Sequence, residues 1–340
     1  MTTVSLKHIA ELAGVSRQTV SRALRGERYV RPELAKKILQ TAETLGYKPN
    51  PRITALISEL RNQNKGHRGV TMGLILPDIT EKDACANYFH CGFITGVRDR
   101  AEACGFRTEL VSTLDYTSMA ALERVLYARG IELLIIAPSA IVGRHHLGLH
   151  WNKYASVLAG PGIRRPRLNR VLSNYYLNMI QILRRLKALG YQRPALVVKR
   201  SILSRTGGVI EAAFLLHLSL FGITRNVRQM VWSNTPSLAN ENLAAWLKKN
   251  RVDVVISDQP DPRQITSFGL SVPRDMGYVS MTCNPDKPEV SGINPDLARL
   301  GANAVDQLSG HYYRNERGIP ADAKIVMHEG KWQPGGTLRG

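Results

Sequence analysis

The first fifty residues carry three short runs of helical periodicity. Leu6, Ile9, Ala10 and Ala13 recur on one helix face, with Ser5 placed to cap the start. Gly14 follows, a residue that tolerates the left-handed conformation in which helices commonly end. Ser16 is then placed to cap a second helix over 17–24. Its apolar face is Val20, Ala23 and Leu24, which leaves Arg17, Gln18, Ser21 and Arg22 pointing outward with Arg25 just beyond. A third helix begins at Pro32, which suits a first helical turn, and buries Leu34, Ala35, Ile38, Leu39, Ala42 and Leu45 before Gly46 stops it. Helix, tight turn and second short helix around one small core make a helix-turn-helix unit over 1–49.

A different rhythm starts near residue 70. Apolar strand candidates at 72–76, 106–111, 133–137, 155–159, 195–198, 252–257 and 278–281 alternate with amphipathic helices at 89–104, 119–129, 178–189, 209–220, 238–250 and 295–308. Such alternation implies parallel sheets joined by right-handed crossovers, and no internal repeat is visible. Between the two regions, 50–69 holds one short apolar stripe, Ile53, Leu56, Ile57 and Leu60, behind Pro51, and then a polar run. A helix this short is marginal alone and forms only when something covers the stripe. That something is either nucleic acid or the larger domain.

Composition narrows the class. At 340 residues with 44% hydrophobic and 21% charged positions, the chain is long enough for two or three packed domains and not for extensive disorder. An aromatic content of 6% favours an aliphatic core of helices on sheets. No run of eighteen apolar residues occurs, and Met1 to His8 has no apolar stretch behind a basic start, so the expectation is a cytoplasmic protein with no membrane partner. Cys85, Cys91, Cys104 and Cys283 form no C-x-x-C pair and are read as core residues. His145, His146 and His150 lie in a polar stretch without a second ligand pair, so no metal and no cofactor is assigned. The chain lacks a G-x-G-x-x-G after a strand, a P-loop and a G-x-S-x-G, so no enzyme is expected.

Net charge is +19, and its distribution says more than its size. Residues 1–68 hold 13 Lys and Arg against 5 Asp and Glu, and the remainder 33 against 22, a density of positive charge about three times higher at the start. Arg17, Gln18 and Arg22 stand at the opening of the second helix, and Arg and Gln are the side chains that bond bidentately to guanine and adenine edges. A generic three-helix bundle with a solvated basic face is the plainer alternative. The positions of these three favour a major-groove reader of double-stranded DNA.

The string from Ser5 to Leu24, SLKHIAELAGVSRQTVSRAL, closely resembles the headpiece of the lactose/galactose repressor (LacI/GalR) family, and Leu45 to Pro51, LGYKPNP, resembles that family's link into its hinge. The resemblance implies base contacts from Arg17, Gln18 and Arg22, and phosphate contacts from Ser5, Ser16, Thr19 and Ser21, with Asn50 near the backbone. Arg25 departs from the family's Asn. With Tyr29 and Arg31 it adds phosphate-contacting capacity in the following loop. A hinge helix would fold on the operator and pair with its dimer mate at Ile53, where the family prefers a small residue. It would push Leu56 into the minor groove.

Residues 70–340 resemble the family's periplasmic-binding-protein-like sensing domain, through ARGIELLIIAP at 128–138 and SGIN at 291–294. Two doubly wound lobes are implied, about 70–166 with 289–322 and about 167–288 with 323–340, the chain crossing near 166, 288 and 323. Ligands in open α/β sheets sit beyond the carboxyl ends of strands, which nominates Asp78, Ser139, Arg200, Asp258 and Thr282, with Trp232 as a stacking surface. The family's effector groups fit poorly. Ile210 stands where it tends to place an arginine, for which Arg205 could substitute, and Ser257-Asp258 and Thr282 replace its Asn-Asp and Asp.

The expected protein is a homodimeric repressor on a pseudo-palindromic operator, modulated by a small-molecule effector that could be sugar-like. A ligand-independent regulator whose sensing domain serves for dimerisation is the alternative. The C-terminal stretch 332–340 has no leucine heptads, so no tail-mediated tetramer is expected.

Overall fold

The computed structural model describes residues 6–24, 30–45, 70–139, 147–225, 227–234 and 240–339. The chain divides into two compact units, Met1–Gly69 with Tyr313–Glu316, and Val70–Tyr312 with Arg317–Gly340.

The smaller unit holds helices α1 (Leu6–Ala13), α2 (Arg17–Leu24) and α3 (Pro32–Thr44). Ile9, Val20 and Ile38 are fully buried and meet at the centre, with Ala10, Ala13, Ala23 and Ala42 around them. Small alanines let three short helices approach closely enough for so few large side chains to fill the middle. Gly14 takes φ +71 between α1 and α2, and Pro32 opens α3. Leu39, expected in this core, is 49% exposed. Ile38 and Ala42 define the inward stripe of α3, and Leu39 lies one residue, or about 100°, round the helix from Ile38.

In the larger unit the helices are α4 (Glu81–Ala86), α5 (Tyr88–Ala103), α6 (Met119–Ala128), α7 (Tyr175–Ala188), α8 (Arg200–Arg205), α9 (Val209–His217), α10 (Asn240–Lys249), α11 (Arg263–Thr266) and α12 (Leu297–Arg314). The strands β1 (Thr71–Leu76), β2 (Arg107–Ser112), β3 (Leu133–Ile136), β4 (Ala155–Ala159), β5 (Asn169–Ser173) and β11 (Ile325–His328) build one sheet in the order β11-β5-β4-β3-β1-β2, all parallel. A second sheet is built from β6 (Pro194–Lys199), β7 (Val231–Asn234), β8 (Val254–Ser257), β9 (Gly277–Ser280), β10 (Gly292–Asn294) and β12 (Lys331–Gln333), in the order β12-β10-β9-β8-β6-β7. It is parallel except where β10 meets β12. These are two doubly wound lobes of the kind found in periplasmic-binding-protein-like domains. Strands buried on both faces read as unbroken apolar runs, as in Leu133-Leu134-Ile135-Ile136.

Helices α5 and α12 pack on the first sheet through Phe93, Val97, Leu300 and Ala304. Their contact depends on two glycines. A Cβ on Gly96 would lie 1.9 Å from the Ala298 carbonyl oxygen, and one on Gly301 would lie 2.4 Å from that of Phe93. Any larger residue would push the helices apart.

The chain crosses between lobes later than the expected 166, 288 and 323. Strand β5 still belongs to the first sheet, and α7 joins the second lobe's core through Met179, Ile182 and Leu186, so the first crossing is at Asn174. Strand β10 belongs to the second sheet while α12 covers the first, which puts the second at Pro295–Asp296. Strands β11 and β12 part at Glu329–Gly330. The polar stretch around Arg165–Arg167 instead joins β4 and β5, parallel neighbours in the first sheet, without a helix. Hydrogen bonds tie the crossings together: Asn174 N–H donates to the His328 carbonyl (2.8 Å), Gly330 N–H to Asn178 Oδ1 (2.9 Å) and His328 Nε2 to the Pro295 carbonyl (2.8 Å).

Candidate functional site

The candidate functional residues fall in two places, the outer side of α2 and the crevice between the lobes. In the smaller unit Ser16 caps α2: its Oγ accepts the Thr19 amide at 3.1 Å and lies 2.9 Å from Thr19 Oγ1. Both hydroxyls are thereby held at the helix start. This is the end where peptide N–H groups point outward and the helix dipole favours an anion. Val20 and Ala23 anchor the helix in the core, and Arg17 and Arg22 are exposed on its other side. Gln18 and Ser21 lie within the α2 backbone, and their side chains fall outside the described residues. Arg31 is exposed immediately before α3. Ser5, Arg25, Tyr29, Asn50, Ile53 and Leu56 all lie outside the described residues.

In the larger unit, most of the strand-end nominees follow the carboxyl ends of strands, each with its own partners. Asp78 follows β1 with φ 58, its amide donating to Thr113 Oγ1 at 2.9 Å. Ser139 follows β3 and is buried, its carbonyl accepting Arg205 Nη1 at 3.0 Å from the other lobe. Arg164 of the first lobe donates in turn to the Ser204 carbonyl of the second. A third bond across the crevice runs from Tyr88 Oη to the Cys283 carbonyl at 2.5 Å. Asp258 follows β8. Its carboxylate accepts the Lys199 amide at 3.1 Å and Gln259 Nε2 at 3.0 Å, and its carbonyl accepts Thr282 Oγ1 at 3.2 Å. Burial pushes the Asp258 carboxyl above the usual carboxylate range, against the opposing pull of those amide donors and the Lys199 charge. Arg200 opens α8 and is exposed.

Trp232 is the nominee offered as a stacking surface. It sits in β7, at one edge of its sheet, packed against the second lobe's core with its ring centroid 5.4 Å from that of Trp246. His150 is held by Glu123, through its amide (2.6 Å) and through Nδ1 (2.5 Å). No group of three His, Cys, Asp or Glu side chains suited to a metal occurs among the described residues. Nor is any helix among them long and apolar enough to cross a membrane.

Sequence reasoning missed Arg164, Arg170 and Tyr175. Arg170, in β5, turns its half-buried guanidinium onto the carbonyls of Gly160 and Ile163. Tyr175 opens α7 next to the charges of Arg205 and Arg170; burial pushes its phenol up to about 12 although both arginines pull the other way. The signal lies in Arg164-Arg165-Pro166-Arg167-Leu168-Asn169-Arg170, a basic run beyond the carboxyl end of β4.

Comparison with known proteins bears on both places. Residues 5–50 match the family described as "Bacterial regulatory proteins, lacI family". Catabolite control protein A of Priestia megaterium is 36% identical over 98 residues, 29% of this chain and 25% of that protein. The sucrose operon repressor of Escherichia coli is 26% identical over 192 residues, 56% of this chain and 54% of that one. The chain thus spans about half or less of these curated relatives. A crystal structure of the lac repressor dimer bound to operator and the anti-inducer ONPF superposes with a TM-score of 0.51 at 19% identity, covering 99% of this chain and 100% of that one. At that identity the likeness is one of fold.

Proposed function

From the match of residues 5–50 to the lacI family of bacterial regulatory proteins, we propose that the chain is a regulator of that family, a sequence-specific DNA-binding repressor. The relatives named above are regulators rather than enzymes. It binds a pseudo-palindromic operator as a homodimer, and a small molecule in the crevice between its lobes sets its affinity. The observation that carries this reading is α2: a short capped helix, anchored by Val20 and Ala23, that leaves Arg17 and Arg22 exposed.

Arg17, Gln18 and Arg22 read base edges. Ser16, Thr19, Ser21 and Arg31 hold phosphates, joined by Ser5, Arg25, Tyr29 and Asn50, while Ile53 pairs hinge helices and Leu56 wedges a base step open. Asp78, Ser139, Arg200, Arg205, Asp258 and Thr282 face the effector. Such a ligand must bind two lobe arrangements unequally, with a coupling typically of about 1–3 kcal/mol. The three hydrogen bonds that bridge the crevice directly favour a second reading, in which the lobes stay together unaided and the domain serves dimerisation.

Arg22→Ala tests the base-reading role. It should weaken binding to the preferred operator by about 1–3 kcal/mol and relax preference at one base pair in each half-site. Equal weakening on every duplex would make Arg22 a phosphate contact and remove the base-reading assignment.

A further inference from the structure

Three arginines gather at one mouth of the crevice. Arg164 and Arg170 lie on the first lobe's side, and Arg205 reaches in from the second. Among the described residues neither Arg164 nor Arg170 forms an ion pair. The partners of these two are the carbonyls of Ser204, Gly160 and Ile163.

We propose that the crevice takes a small molecule bearing a carboxylate or phosphate, with that anionic group held by Arg164 and Arg170. This rests on the effector reading above and names the chemical class of the effector.

A guanidinium in mid-strand is an expensive way to brace a loop. Burial, and after it the neighbouring Arg164 charge, lowers the Arg170 pKa, so the cation is held at a cost that a neutral donor would avoid. Carbonyl oxygens orient the group but offset none of its charge. They occupy only part of its five-donor fork, and the remaining N–H groups suit bidentate bonding to a carboxylate or phosphate. Tyr175, half-buried and neutral next to Arg170, offers a phenol that can donate to an anion. A neutral sugar would leave both cations uncompensated. An anion would neutralise them and also engage the two lobes at once, because Arg164 already touches the second lobe at Ser204.

The test uses the full-length protein at constant ionic strength, with inorganic phosphate against chloride and galacturonate against galactose. Thermal shift and calorimetric titration are read on the parent protein, Arg164→Gln and Arg170→Lys, and operator affinity is followed in parallel. Arg164→Gln removes one exposed charge, and Arg170→Lys keeps the charge while losing the fork, so at least one of them should fold normally. Phosphate should raise the melting temperature saturably beyond chloride, with apparent affinity falling about tenfold in either variant as a charge-assisted bond is lost. Galacturonate should outperform galactose.

No phosphate-specific shift, or one that survives both variants, overturns the anion site. Galactose acting on operator affinity without any preference for the acid also overturns it, while leaving the effector reading intact. Anion binding that both variants weaken, with operator affinity unmoved, upholds the site and rejects the effector role.

Discussion

Ile38→Ala in the small unit is a sharp perturbation because its core is so thin. Ile38 is fully buried on α3 and meets Ile9 and Val20, which are buried as completely. Truncation removes about three methylene equivalents, worth about 2.4 kcal/mol at roughly 0.8 each. Three short helices cannot collapse fully into the space left, so a cavity term brings the cost into the range of about 2–5 kcal/mol seen for such changes. At roughly 0.05–0.15 kcal/mol per residue, a unit of this size has only about 2–7 kcal/mol in total. The variant should therefore sit near its unfolding midpoint at 25 °C and bind duplex DNA only on cooling. Scanning calorimetry with binding measured from about 5 to 40 °C checks this, the transition of the larger unit serving as an internal standard. Full DNA affinity at 37 °C would show that the small core does not hold α2 in place, and the reasoning would fail.

Two further outcomes follow from the larger unit. Gly96→Ala should destabilise it by at least about 1–3 kcal/mol, because a methyl group 1.9 Å from the Ala298 carbonyl must force α5 and α12 apart; an unchanged melting temperature would contradict that packing. Glu123 is buried, which alone would raise its pKa, but the hydrogen bonds and charge of His150 and the nearby Lys153 pull it below the ordinary carboxylate value. A depressed folded-state pKa contributes stability above the unfolded value and loses it as pH falls through the folded one. Glu123→Gln should thus cost about 1–3 kcal/mol near pH 7, with the gap closing in acid; denaturant melts at several pH values that show a constant gap would rule this out.

Legibility followed burial and period. The helix-turn-helix was readable because Gly14, Ser16 and Pro32 punctuate strong apolar stripes, and only Leu39 was misplaced, on a helix with more apolar residues than its inward face can hold. Central strands such as β3 and β8 were readable as continuous apolar runs. Strands β5, β10, β11 and β12 were not. Asn169, Val171 and Ser173 put two polar side chains on the buried face of β5, and β10 has a single large apolar residue, Ile293. Ile325, Val326 and Met327 are exposed on the edge strand β11, against the burial their apolarity leads one to expect. Missing these strands displaced all three crossings. Asp78, Ser139 and Asp258, which follow β1, β3 and β8, came from the strand-end rule. Arg170 was hidden because an arginine in mid-strand carries no periodic signal, and its role depends on carbonyls seven and ten residues earlier.

Selection of bound sites from a pool of random duplexes, at about 0.15 M salt so that phosphate contacts alone do not dominate, tests the central claim most directly. A homodimer reading bases through Arg17, Gln18 and Arg22 should enrich an inverted repeat with two matched half-sites about one helical turn apart, and Arg22→Ala should blur the same position in both. Enrichment of no motif, with or without galacturonate and phosphate present, would mean that α2 grips only the backbone, and the specific repressor would have to be abandoned.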